Sequence, residues 1–409
     1  MVWAEYERDL NPKNWPFFKK LGTTLLVTAI SFTVQYASAI DSAVAEKIQA
    51  EFGVDDVVES LATGLAPNIG AQITLRFLAG FFGSSPLIYI FPIYATGGFL
   101  GLAVGPAIGG VIGESGMVGW RWVEWSTLII SAVVFLPVLL VQPETHAPTL
   151  LKRKSKMATA RPANERSAIE INDDQKSIAK ASVLAFKLAQ SFYRPFQLAL
   201  YEPIVILLSF YLSLLYIIVF TFLPGYTFIF TETYGFNMAQ RGLCFLGLGV
   251  GFLMSLAMSL PVLIISRRIV DRHGELYPES RLYHAIFGAP TIPIAMLWMG
   301  WTAKESISPW SAIVASALLG FGVLCIFISS YQYTIHTYRQ YAASGLVFIT
   351  LTRYLAAGGM VIVGSPMYRS LGVNWTLTIL GCIGGLLVPI PYCLYWLGPA
   401  IRKWSKHSS

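Results

Sequence analysis

Apolar runs of similar length, separated by short polar connectors, repeat along most of the chain. One run covers Leu21 to Ile40, another Trp122 to Val141, and six more cover residues 203–225, 242–265, 283–301, 309–331, 343–365 and 375–398. Each is close to the roughly 20 apolar residues that a helix needs to cross a hydrocarbon core of about 30 Å. Unbroken apolar runs of this length predict buried or membrane-spanning helices rather than half-buried strands. Between Ala71 and Gly113 the run is longer: 43 residues with Arg76 as the only charge. As a single helix it would be about 65 Å long, twice a bilayer. Two helices are therefore expected there, turning near Pro86 to Pro92, because proline and the residue before it disfavour helix continuation. The pattern predicts an all-α, polytopic membrane protein of about ten transmembrane helices.

One stretch breaks the rhythm. Gln142 to Glu202 carries ten Lys/Arg, Lys152, Arg153, Lys154 and Lys156 among them, and is too charged to bury and too poor in aromatics to fold alone. The expected organisation is a cytosolic N-terminal segment (1–20), a four-helix bundle (21–141), a cytosolic basic linker (142–202), a six-helix bundle (203–398) and a cytosolic basic tail (399–409). With the N-terminus in the cytosol, residues 1–20, 142–202, 266–282, 332–343 and 399–409 all fall inside. They hold 22 of the 29 Lys/Arg, the bias expected of cytoplasmic connectors. Reading residues 71–113 as one span would move the basic linker outside. A cleaved leader competes for the first run, since Ala37-Ser38-Ala39 has the small-residue pattern of a cleavage site. The length of its core and the spans that follow favour a retained helix.

Composition narrows the chemistry. The chain is 55% hydrophobic and 12% charged, with a mean hydropathy of +0.59; soluble domains carry about twice that charge. A net charge of +7 in a soluble protein would raise the question of nucleic acid, but here the cations sit in connectors and set orientation. Cys244, Cys325, Cys382 and Cys393 lie inside apolar runs, without metal-ligand spacing or a disulfide framework, and are expected to pack. The five histidines are scattered singly, and no glycine-rich phosphate loop ending in Lys-Ser/Thr is present. Nothing in the sequence calls for an enzyme, a metal or a cofactor.

Gly101-Leu-Ala-Val-Gly105-Pro106-Ala-Ile-Gly109-Gly110 stands within an apolar run. Small residues four apart let another helix approach closely, and the proline frees a carbonyl and bends the segment. The bland reading is a packing face. The full pattern resembles the antiporter signature of the fifth helix in the major facilitator superfamily, within its fungal drug:proton antiporter branch. Other stretches resemble that branch as well: Asn11-Pro-Lys-Asn-Trp15, Arg76-Phe-Leu-Ala-Gly80-Phe-Phe-Gly83, Gly119-Trp-Arg-Trp122, Pro143-Glu-Thr145, Arg194-Pro-Phe196, Glu202-Pro203, Pro278-Glu-Ser-Arg-Leu282 and Leu371-Gly-Val-Asn-Trp375. The resemblance covers nearly the whole chain and implies two pseudo-symmetric bundles with a site between them. It also implies proton-driven efflux of a drug, toxin or secondary metabolite by alternating access, in a plasma-membrane monomer with both termini cytosolic.

Departures from the family pattern matter equally. Members carry twelve helices and a Gly/Asp/Arg-rich cytosolic latch loop in the first half. Here Phe52-Gly-Val-Asp-Asp56 runs within about a dozen residues into Leu65-Ala-Pro-Asn68, so the second helix, the latch loop and most of the third are missing, and the bundles are four plus six. The loss of two spans keeps every later loop on its own side. A truncated, non-transporting remnant or membrane partner is the alternative that this departure raises.

Candidate site residues follow. Arg76 is costly at membrane depth and is expected to face a partner or a wet cavity; the resemblance associates it, with Gly80, with proton coupling. Snorkelling to the headgroups is the competing reading. Glu124 is a candidate protonatable carboxylate, against an interfacial position. For Arg353 a cavity or ion-pair role stands against snorkelling. Tyr211, Tyr216 and Phe220 form an aromatic stripe that either packs or walls a substrate cavity, with further tyrosines at Tyr331 and Tyr333. Few acids lie at depth, which favours an uncharged or weakly charged apolar substrate over a polycation.

Overall fold

The structure is a computed structural model that describes residues 16–40, 44, 47, 87–115, 119, 121–141, 202–274, 277–338 and 341–404. Arg76, Gly80 and the basic linker lie outside the described residues. In the first half the helices are α1 (Phe17–Ile40), α2 (Leu87–Glu114) and α3 (Arg121–Val141). In the second they are α4 (Pro203–Tyr226), α5 (Met238–Cys244), α6 (Leu246–His273), α7 (Tyr283–Gly288), α8 (Thr291–Thr302), α9 (Pro309–Tyr338), α10 (Ala342–Leu387) and α11 (Pro389–Trp404). Among the described residues no strand occurs, and eight helical stretches are long and apolar enough to cross a membrane.

Several boundaries differ from the sequence expectation. α2 is already helical at Leu87 and runs through Pro92, so the turn expected near Pro86 to Pro92 does not fall within residues 87–92; Pro86 lies outside the described residues. Pro92 falls in the second turn, where its missing N–H costs the helix a single bond. The Thr96 hydroxyl donates to the Pro92 carbonyl at 2.7 Å. The run expected at 242–265 begins earlier because Asn237 and Gln240 form a capping box, each side chain serving the other's backbone N–H. It ends at Gly274, whose φ of 76° closes α6 with a bond to the Val270 carbonyl. After α4 a π-helical segment, Thr227–Thr233, extends the span beyond Pro224.

The helical run from Ala342 to Trp404 is two passes joined at Gly372, whose φ of 73° and ψ of 171° interrupt α10. Before Gly372, α10 runs antiparallel to α9, with Gly345 beside Thr334, Thr350 beside Tyr331 and Arg353 beside Phe327. After it, α10 runs antiparallel to α8, with Leu377 beside Gly300, Gly381 beside Leu297 and Gly384 beside Ile292. Because α8 is itself antiparallel to α9, with Ala285 by Ser329 before it and Trp298 by Ser311 within it, the chain has reversed.

Two helices tie the halves together. Along one face of α2, glycines meet α1: a Cβ on Gly101 would overlap the Phe32 carbonyl and lie 2.8 Å from the Tyr36 nitrogen. Along another face α2 meets α5. A Cβ on Gly110 would lie 2.5 Å from the Met238 carbonyl, and one on Gly242 would overlap the Pro106 carbonyl. Backbones mesh this closely only where side chains are absent. At the C-terminal end of the bundle, Arg402 on α11 pairs with Glu279 at 2.8 Å.

Outward faces are apolar. Trp122, Trp125, Leu128, Val133, Phe135 and Leu140 of α3 are all exposed, as a bilayer allows. Of the four cysteines expected to pack, Cys244 and Cys325 are buried, while Cys382 and Cys393 are exposed; a thiol on an outward helix face meets lipid at little cost.

Candidate functional site

Near the middle of the spans, α1 and α2 face α4, α9 and α10 across a cleft of about 450 Å³, its open mouth included. Ser31, Val34 and Gln35 of α1 share one face at helical spacing, and Tyr94, Gly98 and Phe99 of α2 stand beside them. From the second half come Tyr216, Phe327, Arg353 and Tyr354. The cleft is thus built by both halves, at the depth where transporter sites lie.

Arg353 is its centre. The residue is 2% exposed, and its Nη1 donates to the Tyr216 hydroxyl at 2.8 Å. Its Cζ lies 4.5 Å from the Tyr216 ring centroid, 4.9 Å from Tyr354, 5.0 Å from Phe327 and 5.4 Å from Tyr331. Such contacts contribute roughly 0.5–2 kcal/mol each. Snorkelling is ruled out by this burial, and among the described residues Arg353 has no ion pair; its Nε has no hydrogen-bond partner. The cage is itself tied down: Phe327 stacks on Tyr331 at 4.3 Å, the Tyr331 hydroxyl bonds Thr350 at 2.9 Å, and Tyr94 shares a hydrogen bond with Ser31.

The structure sorts the sequence candidates. Tyr216 and Arg353 line the cleft together, and Phe220, one turn along α4, stacks on Tyr216 at 5.7 Å without lining it. Tyr211 is buried elsewhere on α4, five residues and about 140° from Tyr216. Tyr331 joins the cage, whereas Tyr333 turns toward Glu279 and Gly398. Glu124 is exposed in the first turn of α3 and does not reach the cleft. Gly101, Gly105, Pro106, Gly109 and Gly110 are all buried, and those whose neighbours are described form the contacts of α2 with α1 and α5. Ser31, Gln35, Tyr94, Phe99 and Phe327 were not singled out from the sequence. Their only signal is a shared helix face, which does not say what stands opposite.

The sequence profile described as Major Facilitator Superfamily matches residues 56–361. The MFS-type transporter kojT of Aspergillus oryzae is 42% identical over 461 aligned residues, covering 97% of this chain and 80% of that one. The ascochitine biosynthesis cluster MFS transporter of Didymella fabae is 28% identical, covering 99% of this chain and 89% of that one. Among solved structures, the proton:xylose symporter XylE bound to 6-bromo-6-deoxy-D-glucose superposes with a TM-score of 0.58 at 14% identity, covering 93% of this chain and 96% of that one.

Proposed function

Because the chain belongs to the major facilitator superfamily, we propose that it exports a small organic compound, a toxin or secondary metabolite, through the cleft between its halves by proton-coupled alternating access. The observation that carries this reading is the cleft itself. Residues of α1 and α2 meet residues of α4, α9 and α10 around a buried charge, so rocking one half against the other opens the site to one side or the other. Relatives named for toxin and metabolite clusters, such as the ascochitine transporter, support the substrate class. Coupling is assigned to Arg76 with Gly80 on the family resemblance, with Glu124, exposed in the first turn of α3, as a further candidate carboxylate. In this reading the chain works as a monomer in the plasma membrane with both termini cytosolic.

The alignment with kojT has 461 positions, 52 more than the whole chain of 409 residues. The alignment therefore contains kojT positions with no counterpart in this chain, and the family pattern assigns them to two helices of the first half. The reading is tested in transporter-deficient yeast expressing the chain and challenged with a panel of flat, weakly polar fungal metabolites. Export is expected from the chain, and it is expected to be lost in Arg76→Ala. Equal retention in expressing and empty cells, at proven membrane abundance, overturns it.

A further inference from the structure

We infer that the substrate is an organic anion: a flat, unsaturated ring bearing a carboxylate, phenolate or enolate oxygen that Arg353 binds. The inference rests on the transport reading above and names the chemistry that its site selects. A guanidinium carries five N–H donors and a charge that does not titrate away. Among the described residues those donors make one bond, to the Tyr216 hydroxyl, and Nε has no partner. Burying an unpaired charge costs several kcal/mol even after relaxation, and four aromatic rings offset only part of that. Among the described residues nothing lining the cleft is acidic: its polar members besides Arg353 are Ser31, Gln35, Tyr94, Tyr216 and Tyr354.

Each substrate class then fares differently. A cation is repelled at short range in a low-dielectric site. A neutral compound leaves the guanidinium uncompensated. An oxyanion supplies the missing charge and accepts charge-assisted hydrogen bonds, about twice as strong as neutral ones. The walls select the rest of the molecule. Tyr216, Phe327, Tyr331 and Tyr354 surround the guanidinium with ring faces and edges, and Phe99 meets Phe327 edge-on at 5.0 Å, a surface on which a planar ring stacks. Ser31 and Gln35, from the opposite half, offer hydrogen bonds to further polar groups. The sequence-level preference for an uncharged substrate came from the scarcity of acids, which excludes a polycation and is silent on an anion.

Three probes of one shape separate these outcomes: 2-naphthoate, 2-naphthamide and 2-naphthyltrimethylammonium. Binding is measured by titration calorimetry on the full chain in lipid nanodiscs, and transport in vesicles reconstituted from the same preparation. The wild-type protein is expected to bind naphthoate at least ~10-fold more tightly than the amide, with no detectable binding of the cation. Arg353→Gln is expected to abolish that preference, lowering naphthoate affinity to that of the amide. The wild-type comparison among probes stands alone if the variant does not fold. Chloride and phosphate are titrated as competitors, and displacement of naphthoate by either at millimolar concentration overturns the assignment to an organic anion. Equal binding of amide and naphthoate, or a preference that survives Arg353→Gln, overturns the inference while measured transport of the amide leaves the transport reading intact. Failure of all three probes to bind or move overturns both.

Discussion

At the scale of single residues, one side chain sets the character of the site. Arg353 is the largest fully buried polar group among the described residues, and aromatic rings rather than acids surround it. Such a charge is held by the fold at a cost, so its removal should relieve strain rather than create it. Arg353→Met is therefore expected to leave the unliganded protein's thermal midpoint unchanged or raised, while export falls by more than ~10-fold. A fall of several degrees would show instead that Arg353 is a structural anchor. In the sequence Arg353 stood out as a charge inside an apolar run, and Tyr216 as part of an aromatic stripe. Their meeting was not legible, because periodicity assigns a side chain to a face and never to the partner across it. Tyr211 shows the other side of that limit: the same stripe holds Tyr211 and Tyr216, and the 140° between them places only the second at the cleft.

At the scale of elements, glycine placement decides which helices touch. The ten-residue pattern around Pro106 read as a packing face or a functional helix, and α2 serves two contacts at once, to α1 within its half and directly to α5 of the other half. These contacts should respond differently to a side chain. Gly101→Leu forces a clash with the α1 backbone inside one bundle and is expected to lower membrane abundance sharply, as judged by blot and size-exclusion profile. Gly242→Leu overlaps the Pro106 carbonyl at the junction of the halves, a contact that the proposed alternating cycle would have to open and close. That variant is expected to accumulate near normal levels yet lose most export. Equal abundance and equal export in the two variants would contradict the division of labour. Gly372 makes a third case: its φ of 73° and ψ of 171° lie in a region essentially closed to other residues. Gly372→Ala is expected to cost about 1–3 kcal/mol, read as a lowered thermal midpoint in nanodiscs. The sequence showed the two runs on either side of Gly372, and the reversal follows from their lengths. It did not show where α2 begins, because a proline early in a helix and a proline in a turn leave the same mark.

At the scale of the whole molecule, hydropathy and charge made apolar helices on either side of a basic linker legible, and the family resemblance supplied the expectation of a site between two bundles. The spacing of apolar runs anticipated the long apolar helices, of which eight candidate spans lie among the described residues. Site composition was not legible, since it depends on five helices drawn from both halves. If the residues by which the alignment exceeds this chain belong to the first half, the proposed cycle requires a shortened bundle to rock against the second. The account stands or falls on whether this chain moves a substrate when a proton gradient is applied. The most direct measurement is gradient-driven movement of 2-naphthoate in reconstituted vesicles, with Arg353→Gln alongside and a chain carrying the absent helices as reference. The account predicts movement that collapses when the gradient is dissipated and is lost in Arg353→Gln. Folded, inserted protein that moves nothing, beside a restored chain that does, would contradict it.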